Sequence, residues 1–297
     1  MTSLPKGPGK FALLRMMFDL SKTLADLARE YGDPFTLPSA FGPMVIAVAP
    51  EGNKEIFTAD PDTFTASAAD SFGRVIRTSV LVTSGAEHKR QRKLLMPPFH
   101  GQRMRLYGQQ LQELTRERTR EFRPGTRLVA QELMHAISLQ AIIHLVFGVS
   151  APEQVARAER LVSDFRRAFT NPLLLLPILV PWLRHELGGF GPWGRLRYAV
   201  RAINALFGEE LARRRRDPAE RTDILSLLMA ARHEDGTPLG DPQIYDQLLT
   251  LLLAGHSTTG DALAWAMYFL AREPQALARL RSELAALGKD PEPEALA

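Results

Sequence analysis

Apolar residues recur at helical spacing along most of the chain. Leu13, Met16, Met17, Leu20, Leu24 and Leu27 share one stripe, which predicts a helix over 11–31 that ends at "YGDP". The one convincing strand run is "MVIAV", with Gly42-Pro43 as a turn before it, so a small hairpin is expected over about 34–50. "EGNKEIFTAD" reads as a short helix. Thr63 to Gly85 is rich in Ser, Thr and Gly, with scattered Phe72, Val75, Ile76, Leu81 and Val82. Long apolar loops of this kind tend to be functional. From Glu87 onward helices dominate: "EHKRQRKLLM", "MRLYGQQLQELTRERTREF", "LVAQELMHAISLQAIIHLVFG", "PEQVARAERLVSDFRRAFT", "WGRLRYAVRAINALFGEELARRRR" and "DILSLLMAARH". The last helix expected has Asp241 as N-cap and Pro242 at its first helical position, and stops at Pro274. It covers about 241–273, roughly 48 Å at 1.5 Å per residue. A helix that long and apolar crosses the middle of a domain. The pattern predicts a mainly α fold in one domain over 1–297, with a long central helix and a small N-terminal β element.

Composition narrows the function classes. Hydrophobic types make up 45% of 297 residues, enough for a large core. The net charge of +4 is a modest basic excess; "RRRR" at 213–216 ends a helix, where cations suit the dipole, and no nucleic-acid motif accompanies it. There is no cysteine, which excludes disulfides, thiolate metal sites and a cysteine nucleophile in these residues. The longest apolar run, Leu173 to Leu183, is broken by Pro177 and Pro181 and is too short to span a bilayer. With no signal peptide or membrane anchor recognised, a cytoplasmic location is expected.

Two stretches carry candidate chemistry. "LLLAGHSTTGDALAWAMYFL" is a buried helix with an unfavourable middle, since glycine costs about 1 kcal/mol against alanine there. Leu251, Ala254, Gly255, Thr258, Ala262 and Trp265 fall near one stripe. Two readings are open: a hydroxyl-loosened turn that faces a cavity and lets a flat ligand approach, or a Ser/Thr kink that eases helix packing. In "EHKRQRKLLMPPFHG", His88 and Arg92 lie four apart on one face, able to clamp a carboxylate pair or simply to meet solvent.

"AGHSTT" at 254–259 resembles the distal-helix motif of the cytochrome P-450 monooxygenases, and "HKRQRKLLMPPFHG" resembles the same family's C helix. The order and spacing of the two, and the Pro-rich apolar segment between them, are similar to the soluble bacterial branch. The resemblance implies that His88 and Arg92 bind the propionates of haem b, that Ala254 and Gly255 are the small residues beside bound O2, and that Thr258 helps carry protons to it. A lipophilic substrate would meet Phe72, Val75, Ile76, Leu81, Val82 and Leu251. Lys89, Arg90 and Lys93 would lie on a basic surface for a ferredoxin-type electron donor.

The sequence departs from that family at two points. Ser257 stands where an Asp or Glu is usual, and Asp261, one turn on, is the candidate to supply the acid. The family's Glu-x-x-Arg helix and axial cysteine are not found; matches at Glu87, Glu113, Glu117 and Glu210 all precede Thr258. The expectation is a truncated P-450 fold, inactive alone, that holds a distal roof without an iron ligand. Two other classes compete: a non-catalytic helical binding protein with a hydrophobic pocket, and an isoprenoid-synthase-like enzyme, which lacks its aspartate-rich helices here.

Overall fold

In the computed structural model, the described residues are 4–9, 15, 19–39, 42–65, 76–99, 102–149, 151–171, 173, 191–218, 221–288 and 290–296. Phe72, Val75 and all but Leu173 of the Pro-broken apolar run lie outside them. The chain divides into two compact units, 1–64 with 175–185, and 65–174 with 186–297.

In the first unit, α1 (Leu20–Tyr31) starts at Asp19, whose carboxylate accepts the Lys22 amide at 2.9 Å. Strands β1 (Phe35–Ser39) and β2 (Gly42–Ile46) form the expected antiparallel hairpin, with Phe35 opposite Ile46 and Ser39 opposite Gly42. Leu27, Phe35 and Leu37 are its buried centre, with Leu24, Ala28, Tyr31 and Ile46 packed around them. The Asp33 carboxylate accepts the amides of Val48 and Ala49 at 2.7 and 3.0 Å, which fixes the chain before α2 (Pro50–Thr58).

The second unit is helical among its described residues. It contains α3 (Gly85–Leu95), α4 (Gln102–Thr119), α5 (Ala130–Leu145), α6 (Pro152–Phe169), α7 (Pro192–Arg216), α8 (Ile224–Ala230), α9 (Asp241–Arg272) and α10 (Pro274–Ala286). Its main packings are α9 on α5 and α7 on α6. Ile143, Leu196, Ile203, Leu211, Leu225, Leu228 and Leu248 are almost wholly buried, each worth about 1.5–3 kcal/mol relative to exposure.

Charge organises the corner where α5, α7 and α8 meet. The buried Arg214 guanidinium donates to Glu210 at 2.6 Å, to Asp223 at 2.5 Å, to the Ser226 hydroxyl at 2.6 Å and to the Phe147 carbonyl at 2.8 Å. Gly148, at φ +61°, leaves room for that group, because a Cβ there would sit 2.5 Å from Arg214. Arg213 pairs with Glu210 and Arg215 with Asp241. Three of the four arginines in "RRRR" are thus held by carboxylates.

The helix start at 241 differs in one respect from the sequence expectation. Gly240, rather than Asp241, is the N-cap, since the Asp241 carboxylate is taken by Arg215; Gln243 instead reaches back to accept the Gly240 amide at 3.0 Å. The pattern also carried α10 unread, although Pro274 followed by Leu277, Leu280, Leu284 and Leu287 is a helical signature.

Candidate functional site

The long helix α9 has two faces. Ile244, Gln247, Leu248, Leu249, Leu252, His256 and Gly260 are buried. Ala254, Thr258, Ala262 and Trp265 are exposed, with Leu251 at the margin. The glycines that interrupt the sequence belong to the packed side. A Cβ on Gly255 would lie 2.7 Å from Cδ1 of Ile142 in α5, and one on Gly260 would lie 2.7 Å from His135 Cδ2 and 3.2 Å from its Cα. Gly255 therefore leaves the ligand stripe inferred from the sequence; its smallness serves the close approach of α5.

Hydroxyls meet three successive carbonyls of this part of the helix. Thr258 Oγ1 donates to the Ala254 carbonyl, and Ser138 Oγ of α5 reaches the carbonyls of Gly255 at 3.2 Å and His256 at 2.9 Å. The Thr258 proton is thereby engaged, and its lone pairs face the exposed side. His256, buried beside His135 at 5.4 Å between ring centroids, has its pKa pushed down to about 4, first by burial and then by the neighbouring His135. It is neutral at pH 7.

Asp261 occupies a different place from the one expected. Its carboxylate accepts His135 Nε2 at 2.8 Å and Gln131 Nε2 at 3.2 Å, so its recorded bonds run to α5 and none runs to Ser257. The His135 bond, chiefly, holds its pKa below the usual carboxylate range. Ser257 is half-buried.

On α3, His88 is half-buried and Arg92 exposed, and neither side chain bonds another described residue. Their helix, through Gln91, and the segment before it, through Thr78 and Ser79, are held to α9 by residues without a role in the sequence pattern. Gln247 Nε2 donates to Gln91 Oε1 at 2.8 Å and to the Thr78 carbonyl at 2.9 Å; Thr250 donates to the Ser79 hydroxyl at 2.6 Å. Asp246 accepts both the amide and the hydroxyl of Thr78 at 2.8 Å, and burial raises its pKa. The only signal for this network was the polar content of a buried helix, Gln247 and Thr250 among leucines.

The apolar loop divides. Ile76 and Val82 are 3% and 7% exposed and belong to the core, while Leu81, at 44%, is exposed. Of the basic trio, Arg90 pairs with Glu87 and Lys93 with Glu234 at 2.9 Å; Lys89 is exposed. Such exposed pairs are worth at most about 1 kcal/mol and exchange readily. Among the described residues no helix is long and apolar enough to cross a membrane, and no His, Cys, Asp and Glu cluster is fit for a metal ion.

These features define a mainly helical protein built on one long helix braced by α5. The chain belongs to the cytochrome P450 family: the family profile, Cytochrome P450, matches residues 5–295. It is 34% identical to cytochrome P450 135A1 of Mycobacterium tuberculosis over 287 residues, covering 92% of this chain and 62% of that protein. It is 31% identical to cytochrome P450 138 of Mycobacterium bovis, covering 94% of this chain and 63% of the relative. The chain thus spans less than two thirds of the length of these relatives. The retinoic acid-bound cyanobacterial CYP120A1 has the same fold at a TM-score of 0.77 and 22% identity, over 96% of this chain and 64% of that one.

Proposed function

We propose that this chain forms the distal and propionate-binding part of a haem monooxygenase that inserts one atom of O2 into a lipophilic substrate. The observation that carries the reading is the division of α9. One face is packed against α5, and the other presents Ala254, Thr258 and Ala262, small or hydroxylated side chains in a row, to open space. A flat cofactor fits such a strip. The donor set agrees: His88 offers a ring N–H and Arg92 a guanidinium fork, without partners among the described residues.

Bound haem would supply the redox chemistry, and its iron ligand would come from outside these 297 residues, which contain no cysteine. What the chain contributes is orientation and proton handling. Arg92 and His88 would hold the carboxylates. Thr258 Oγ1, its own proton fixed on Ala254, would accept a hydrogen bond on the ligand side. Ser257 would pass protons in place of a carboxylate. Leu81 and Leu251 would offer apolar contact to the substrate, and Lys89, Arg90 and Lys93 would meet an acidic ferredoxin-type donor in the cytoplasm. The two compact units would work as parts of one domain. By itself the chain would not turn over.

The test is haemin titration of the chain, followed by absorbance. The reading expects the double variant His88→Ala/Arg92→Ala to bind at least about tenfold more weakly, the loss of one charge-assisted bond or more. Equal affinity in both proteins would sink it.

A further inference from the structure

Three consecutive carbonyls of α9 receive side-chain hydroxyls. Ala254 is reached by Thr258 from within the helix, while Gly255 and His256 are both reached by Ser138 from α5. Ser138 is itself 5% exposed, so its proton has no water to turn to. The approach is possible only because α5 and α9 come close at the flanking glycines, where Ile142 and His135 fill the space of a missing Cβ. His135 completes the crossing through its bond to Asp261 at 2.8 Å.

A hydroxyl that shares a helical carbonyl competes with the amide four residues on and weakens that rung of the ladder. The amides competing with Ser138 are those of Thr259 and Gly260, immediately after Thr258. We propose that Ser138 is a positioning residue: by sharing the carbonyls of Gly255 and His256 it weakens the helical ladder over 254–260 and so sets the direction in which Thr258 faces the ligand. This rests on the reading of Thr258 given above, but the clamp is a property of the two helices alone. Ser138 touches no ligand and acts only through α9.

Hydrogen exchange on the chain, without haem, tests it. In Ser138→Ala the carbonyls of Gly255 and His256 return wholly to the helical ladder, so the amides of Thr259 and Gly260 should exchange about three- to tenfold more slowly, the worth of roughly one hydrogen bond. Exchange in 130–145 should stay unchanged. Ser138→Thr, which keeps the hydroxyl, should restore the wild-type rates. Faster exchange across both helices would mean that Ser138 merely ties them together, and unchanged rates at Thr259 and Gly260 would mean that it does not act on the turn; either result overturns the proposal. Failure of haemin binding, by contrast, would bear on the haem reading and leave the clamp standing.

Discussion

The part of α9 up to Gly260 and the part beyond it are both rich in apolar residues and live in different surroundings. Up to Gly260 the helix is packed: Ile244, Leu248, Leu249 and Leu252 are buried, and Gln247 and Thr250 reach Gln91, Thr78 and Ser79. Beyond Gly260 no described residue of the helix is buried. Leu263, Trp265, Met267, Tyr268 and Phe269 are exposed, with Trp265 stacked on Phe269 at 5.8 Å and Arg272 over the Tyr268 ring at 5.4 Å. Hydrophobicity along a helix thus does not say which part carries the fold; the neighbours do. At this exposed end the rings of Trp265, Tyr268 and Phe269 pack on one another.

Substitutions sharpen that contrast. Leu248→Ala should cost about 2–5 kcal/mol through loss of burial and the cavity left behind, whereas Leu263→Ala should stay within about 0.5 kcal/mol. Urea denaturation of the two variants measures both. Equal costs would erase the distinction between the two parts.

The next largest effect is on pH. His256 takes up a proton at about 6.5 when unfolded but only near 4 when folded. Its contribution is therefore complete above pH 6.5 and is lost as pH falls from 6.5 to 4, by up to about 3 kcal/mol. His144, whose pKa is lowered chiefly by burial, adds in the same direction. Asp261 acts in a separate window: its pKa is lowered, so its contribution is lost only as pH falls below the ordinary carboxylate range. Stability curves at several pH values should flatten between 6.5 and 4 in His256→Leu; an unchanged slope would show that the ring is not buried uncharged.

The glycines give a finer contrast. Gly260→Ala would press on the backbone of α5 at His135 and should cost about 1–3 kcal/mol. Gly255→Ala meets only the movable tip of Ile142, and the helix gains about 1 kcal/mol from alanine, so the net change should be near zero. Thermal melting of the pair distinguishes a rigid contact from a soft one.

Much of this was legible in the sequence. The hairpin, the helix order and the length of α9 follow from periodicity and from Pro and Gly punctuation, which are local signals. The midpoint of α9 was read as two alternatives, and the structure divides them by residue: Gly255 and Gly260 serve packing, while Ala254 and Thr258 face outward. Periodicity placed Gly255 near the same stripe as Ala254 and Thr258, and only the position of Ile142 decides its side. Asp261 was legible as a neighbour of Ser257 but not as a partner of His135, because that bond joins residues 126 positions apart. The bracing by Ser138 and by Gln247 was illegible for the same reason.

The most direct measurement sets the open face of α9 against the fold. Ala254→Phe adds a ring to an exposed position, where the fold should tolerate it within about 0.5 kcal/mol, yet it would obstruct a flat cofactor lying on the strip. Haemin titration with parallel thermal melting should show binding weakened at least about tenfold at an unchanged melting temperature. Undiminished haemin affinity in Ala254→Phe would contradict the claim that this face is the roof of a haem site.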